Sequence, residues 1–193
     1  MLGGKSMPDV KPKAARKASP SWSNVKAKLT DFDRAGLIGL VQALYVASKD
    51  NQAFLHARFT LGGDVLKPYK VTIDRWLWPD AFKNQDTSVA KAKKAISEYK
   101  KANGQPEGMA ELMVFYCERA SGFSADVGYQ DDSYFEALVR MFEQALQMIA
   151  TLPDTQRPAL WARLAQVQRN SDNFGYGVAD DMDALLAEYG VDG

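Results

Sequence analysis

A single cysteine, Cys117, and a single histidine, His56, are the chain's whole supply of the two side chains that most often make a nucleophile and its base. A catalytic cysteine needs a nearby base to form thiolate, so a site of that kind must bring these two together. Both lie in apolar helical patterns, Phe54-Leu55-His56-Ala57-Arg58-Phe59 and Val114-Phe115-Tyr116-Cys117. A free cysteine in such a pattern is ordinarily a small core residue, and reactive groups are more often carried on loops. One histidine also cannot supply the paired ligands, a helical turn apart, of a zinc hydrolase.

Carboxylates are the remaining route to metal chemistry. Asp126, Asp131 and Asp132 lie close together in one stretch, and Asp180, Asp181 and Asp183 in another. Oxygen-only sets suit magnesium or calcium. Counted from Asp126, however, positions three, five and twelve are Gly128, Gln130 and Ala137, which cannot close a calcium-binding helix-loop-helix. Acids gather at helix N-termini for the dipole alone. Asp126, Asp131 and Asp132 are therefore weak metal candidates, and no cofactor is expected. Gly175-Tyr176-Gly177 is too short for a phosphate-binding loop, and Gly62-Gly63 follows a helix rather than a strand.

Binding chemistry is better represented. In the predicted helix 89–102, Val89, Ala92, Ile96 and Tyr99 share one face, while Lys91, Lys94 and Lys101 gather opposite with Lys93 and Lys100 beside them. Such a stripe can collect phosphates through charge alone, although it contains no arginine for bidentate contact. Trp76 and Trp78, two residues apart in Trp76-Leu77-Trp78-Pro79, cannot share a helix face. One is expected in the core; the other, taken as Trp78, is exposed or packed under the following loop, and is a candidate interface anchor.

The elements that must position these groups are helical throughout. Apolar residues recur at three and four beyond Trp22, and no run alternates as a strand would. Val25 and Leu29 mark a first helix, and Thr30 with Asp33 forms a capping box for a second bearing Leu37, Leu40, Val41, Leu44 and Tyr45. Asp50 is expected to cap a third helix. A fourth begins near Asp64, with Pro68 in its first turn, and Ser88 caps the fifth. Pro106 opens a sixth that Gly122 ends, before an acidic loop from Ser124 to Asp132. A seventh carries Phe135, Leu138, Phe142 and Ile149. Asp154 caps an eighth, and the last runs from about Val178 to Tyr189. Short connections predict an all-α fold, a bundle of eight or nine helices built from αα-hairpins, with a short α-solenoid as the alternative.

With 193 residues the chain is long enough for one helical domain over 22–193, preceded by a flexible basic arm over 1–21. The net charge of zero hides an asymmetry: residues 1–20 hold five basic side chains against Asp9, while six acids and no base follow Arg169. No run is long enough to cross a bilayer, and the first residues lack the apolar core of a signal peptide. A cytoplasmic location follows as an expectation, with no membrane partner.

The strings Lys91-Ala92-Lys93-Lys94-Ala95-Ile96-Ser97-Glu98-Tyr99-Lys100-Lys101 and Gly108-Met109-Ala110-Glu111-Leu112-Met113-Val114-Phe115-Tyr116, with Gly122-Phe123 and Gly175-Tyr176-Gly177, resemble a bacterial family catalogued only as a domain of unknown function. The likeness runs from about Asn24 to Tyr189. It implies a bacterial, cytoplasmic, helical protein and carries over no catalytic residue.

The function these features favour is a noncatalytic helical module that binds a protein partner or itself. The alternatives are a nucleic-acid binder using the arm and the lysine helix, and a carboxylate-metal enzyme.

Overall fold

The structure, a computed structural model, describes residues 19–80, 83 and 85–190. Most of the expected basic arm therefore lies outside the described residues. Nine helices occur among them: α1 (Trp22–Leu29), α2 (Arg34–Ala47), α3 (Lys49–Arg58), α4 (Lys67–Leu77), α5 (Val89–Ala102), α6 (Pro106–Val127), α7 (Asp132–Ala150), α8 (Arg157–Asn170) and α9 (Val178–Gly190). No strand occurs among the described residues, so the fold is all-α.

Short polar side chains start several of these helices by accepting amides that would otherwise lack partners. The Ser88 hydroxyl accepts from the Lys91 amide at 3.4 Å, and the Asp131 carboxylate from the Tyr134 amide at 2.8 Å. Pro68, Pro106 and Pro158 occupy first turns, where a missing N–H costs nothing. Four expected starts move. α4 begins at Lys67 rather than at Asp64, whose carboxylate instead accepts the Leu66 amide at 2.9 Å. Asp33, not Thr30, opens α2 by accepting the Gly36 amide at 2.7 Å, and Thr30 instead closes α1. Ser48, not Asp50, caps α3 through the amides of Asp50 and Asn51. Asp154 lies ahead of α8 and pairs with Arg157 at 3.1 Å rather than capping.

The described chain falls into two compact units, one ending at Leu44 and one beginning at Tyr45. In the first unit, α1 and the greater part of α2 contain no buried residue. The second is a packed helical bundle. Its longest helix, α6, contacts α4, α5, α7 and α8, while α7 also packs on α8 and α9, and α3 on α5. Leu112, Tyr116 and Cys117 of α6 and Leu138, Phe142 and Ile149 of α7 are fully enclosed.

Gly122 was expected to end α6, yet the helix continues to Val127 and closes at Gly128, whose φ of 66° is left-handed. The reason is packing. A Cβ on Gly122 would lie 2.4 Å from Trp78 Cζ3, so the missing side chain makes room for the indole. Ser124, Ala125, Asp126 and Val127, expected in a loop, are the last turn of α6.

Candidate interaction surface

α2 is built almost wholly from residues that ordinarily fill cores, and α1 carries three of them. Trp22, Val25 and Leu29 share one face of α1, and the segment from Ala35 to Ser48 carries no charge. At 100° per residue, Leu37, Leu40 and Val41 form a ridge along α2, while Ala35, Gly39 and Ala43 form a smooth strip on the opposite side. The helix is thus apolar on two sides, a pattern that belongs to helices covered on both. The side chains are nonetheless open. Trp22 is 68% exposed, Ile38 59%, Phe32 and Val41 46%, and Leu37 40%. A Cβ added at Gly39 would meet nothing within 4 Å, whereas one at Gly36 would lie 2.9 Å from the Phe32 ring.

The lysine stripe is where the sequence placed it. Ala92, Ile96 and Tyr99 are buried, and Lys91, Lys94 and Lys101 are exposed on the other side. The Lys91 and Lys94 head groups are separately engaged rather than aligned. The Lys91 ammonium lies 3.7 Å from the centre of the Trp76 ring, which also holds Arg75 at 4.4 Å. Lys94 pairs with Glu98 at 3.4 Å. Lys101 lines a cleft of about 580 Å³ with Lys49, Lys67, Phe54, Tyr69 and Glu98. Partial burial, with Arg140 nearby, pulls the Lys93 ammonium below its usual pKa.

Both tryptophans of the Trp76-Leu77-Trp78 run are half-buried, and Leu77 between them is fully enclosed. Trp78 rests on Gly122, meets Phe123 edge-on at 6.5 Å and is covered by the Arg119 guanidinium at 4.1 Å. Much of its ring is therefore committed within the chain. The widely exposed tryptophan is Trp22.

The three candidate acids hold three different positions. Asp126 ends α6, Asp131 caps α7, and Asp132 begins it. Hydrogen bonds from the Ser133 hydroxyl and the Tyr134 amide hold the Asp131 carboxyl below its ordinary range. Among the described residues no three His, Cys, Asp or Glu side chains come together as a metal-holding group. Cys117 is wholly buried, and burial pushes its thiol far up, with Glu118 adding to the effect. The His56 ring Nε2 bonds instead with the Tyr45 hydroxyl at 3.0 Å.

A polar cluster that the sequence did not signal lies on α4, α6 and α8. Arg163 reaches Glu118 through two bonds, of 2.7 and 2.8 Å, and Glu111 at 2.5 Å, while Lys70 bonds Glu111 at 2.6 Å. Burial would raise the Glu111 carboxyl, but the bonds from Arg163 and Lys70 outweigh it and hold the group below its ordinary value. All four side chains are already satisfied by one another, as a structural clasp requires.

No protein-family model, curated protein or solved structure matches the chain. Among the described residues no helix is long and apolar enough to cross a membrane.

Proposed function

We propose that this chain is a noncatalytic helical interaction module whose working surface is α1 and α2. The observation that carries this reading is the exposure of Trp22, Val25, Phe32, Leu37, Ile38, Leu40 and Val41 within some twenty residues, the last four of them in a stretch without charge. Monomers seldom expose contiguous apolar patches beyond about 300–600 Å², and larger ones mark interaction sites. The bundle from Tyr45 onward is the folded body of such a module, with the Lys70, Glu111, Glu118 and Arg163 cluster satisfied internally. Nucleic-acid binding through Lys91, Lys94 and Lys101 is the weaker reading, because Lys91 is engaged with Trp76 and Lys94 with Glu98. The resemblance carried by residues 91–101 and 108–116 belongs to the same proposal, which makes the protein a bacterial, cytoplasmic one.

The test is capture from a lysate of the source cells with the full chain as bait, with and without nuclease. A nuclease-resistant partner that is lost with the double substitution Leu37→Glu and Val41→Glu is the expected result. Capture that disappears with nuclease, or that survives the double substitution, contradicts it.

A further inference from the structure

We infer that the surface of α1 and α2 pairs with the same surface of a second copy of this chain; the inference rests on the interaction-module reading and names its partner. Three observations select a copy. The first is area. Trp22, Val25, Phe32, Leu37, Ile38, Leu40 and Val41 are between 37% and 68% exposed. At about 150–250 Å² for an aromatic side chain and somewhat less for an aliphatic one, that leaves on the order of 500–800 Å² of apolar surface summed over α1 and the sides of α2, against the roughly 800 Å² per partner that a standard interface buries.

The second is charge. From Ala35 to Ser48 there is none, and the flanks mix signs, with Lys26, Lys28 and Arg34 against Asp31 and Asp33. A nucleic acid or a strongly charged partner would want one sign. A copy brings the same nearly balanced rim, so the two rims do not repel as two rims of one sign would.

The third is pattern. Leu37, Leu40 and Val41 stand at i, i+3 and i+4 on a helix with no polar side, the spacing by which a helix packs into the grooves of its own copy. A helix apolar on two sides also needs more than one neighbour, and two copies of α1 and α2 provide four helices, enough to enclose both sides of each α2. A lipid surface is a poorer match. Fourteen residues of helix reach about 21 Å, short of the roughly 30 Å hydrocarbon core, and α2 has no basic face to lie at the headgroups.

The experiment is sedimentation equilibrium on the full-length chain over a range of micromolar concentrations, with circular dichroism as the check on folding. Wild type is expected at twice the 21.4 kDa chain mass. The double substitution Leu37→Glu and Val41→Glu is expected to be monomeric with unchanged helicity. The milder Leu40→Gln should raise the dimer dissociation constant at least about tenfold. A wild type that stays monomeric, a dimer indifferent to both variants, or a monomer that binds phosphatidylcholine vesicles through α2 overturns the inference. A monomeric wild type whose lysate partner still depends on Leu37 and Val41 removes the second copy and leaves the interaction module standing; loss of both removes both.

Discussion

α2 and α7 are two apolar helices with opposite fates. α7 alternates its apolar residues with Glu136, Arg140, Glu143 and Gln147, and its inward side, from Tyr134 to Ile149, is buried against α6, α8 and α9. α2 has a more uniformly apolar sequence and buries nothing. The polar side of α7 tells the chain where water is, so one packed layer of neighbours completes it. α2 has no such side, and a complete environment for it needs cover on two faces. High hydrophobicity therefore identifies a helix that must be enclosed, while amphipathicity identifies one that its own chain can enclose.

The comparison is broken most easily by truncating one side chain in each region. Phe142→Ala should cost about 3–5 kcal/mol, as large core truncations do. Leu40→Ala, measured by denaturant unfolding at protein concentrations low enough to keep chains apart, should cost less than about 1 kcal/mol. Equal losses would show that α2 is enclosed within its own chain.

Gly122→Ala sharpens the contrast inside the bundle. Alanine favours a helix by up to about 1 kcal/mol, but here its Cβ would press on Trp78, so a net loss of about 1–3 kcal/mol in thermal or denaturant unfolding is expected. Gly39→Ala is the same substitution where a Cβ meets nothing. It should stabilise α2 by at most about 1 kcal/mol, read as helicity in circular dichroism.

The polar clasp gives an intermediate effect with a definite pH sign. The Glu111 carboxyl is held below its ordinary value of 4.5, so its contribution to stability is present above that value and is lost as pH falls through the lower, folded one. Glu111→Gln should cost about 1–2 kcal/mol near neutral pH, discounted from a fully buried pair because these groups are partly exposed. Unfolding followed from pH 7 down to pH 3 should show the wild type losing more stability below about 4.5 than the variant does. Parallel curves would remove Glu111 from the clasp.

Much of the helical order was legible in the sequence because it depends on neighbours within a turn or two. Ser88, Pro106 and the Val178 start mark their helices locally, and the buried side of α5 follows from the spacing of Ala92, Ile96 and Tyr99. What was hidden depends on residues brought in from afar. Gly122 looks like a stop until Trp78 is laid across it, 44 positions away in the chain. Arg163 gives no sign of Glu111, 52 residues earlier. The surface on α1 and α2 was missed for another reason: Leu37, Leu40 and Val41 read as core by type, and their spacing does not say whose core. The signal that was present is the lack of any charge from Ala35 to Ser48.

The contrast between α2 and α7 is tested most directly by amide hydrogen exchange, resolved by segment, on the full-length chain at low and at high protein concentration. Protection across residues 35–44 is predicted to rise with concentration while that of α7 stays constant, because α7 is enclosed by its own chain and the proposed pairing would enclose α2 with a second copy. Protection of α2 that equals that of α7 at every concentration, or that never develops, would contradict it.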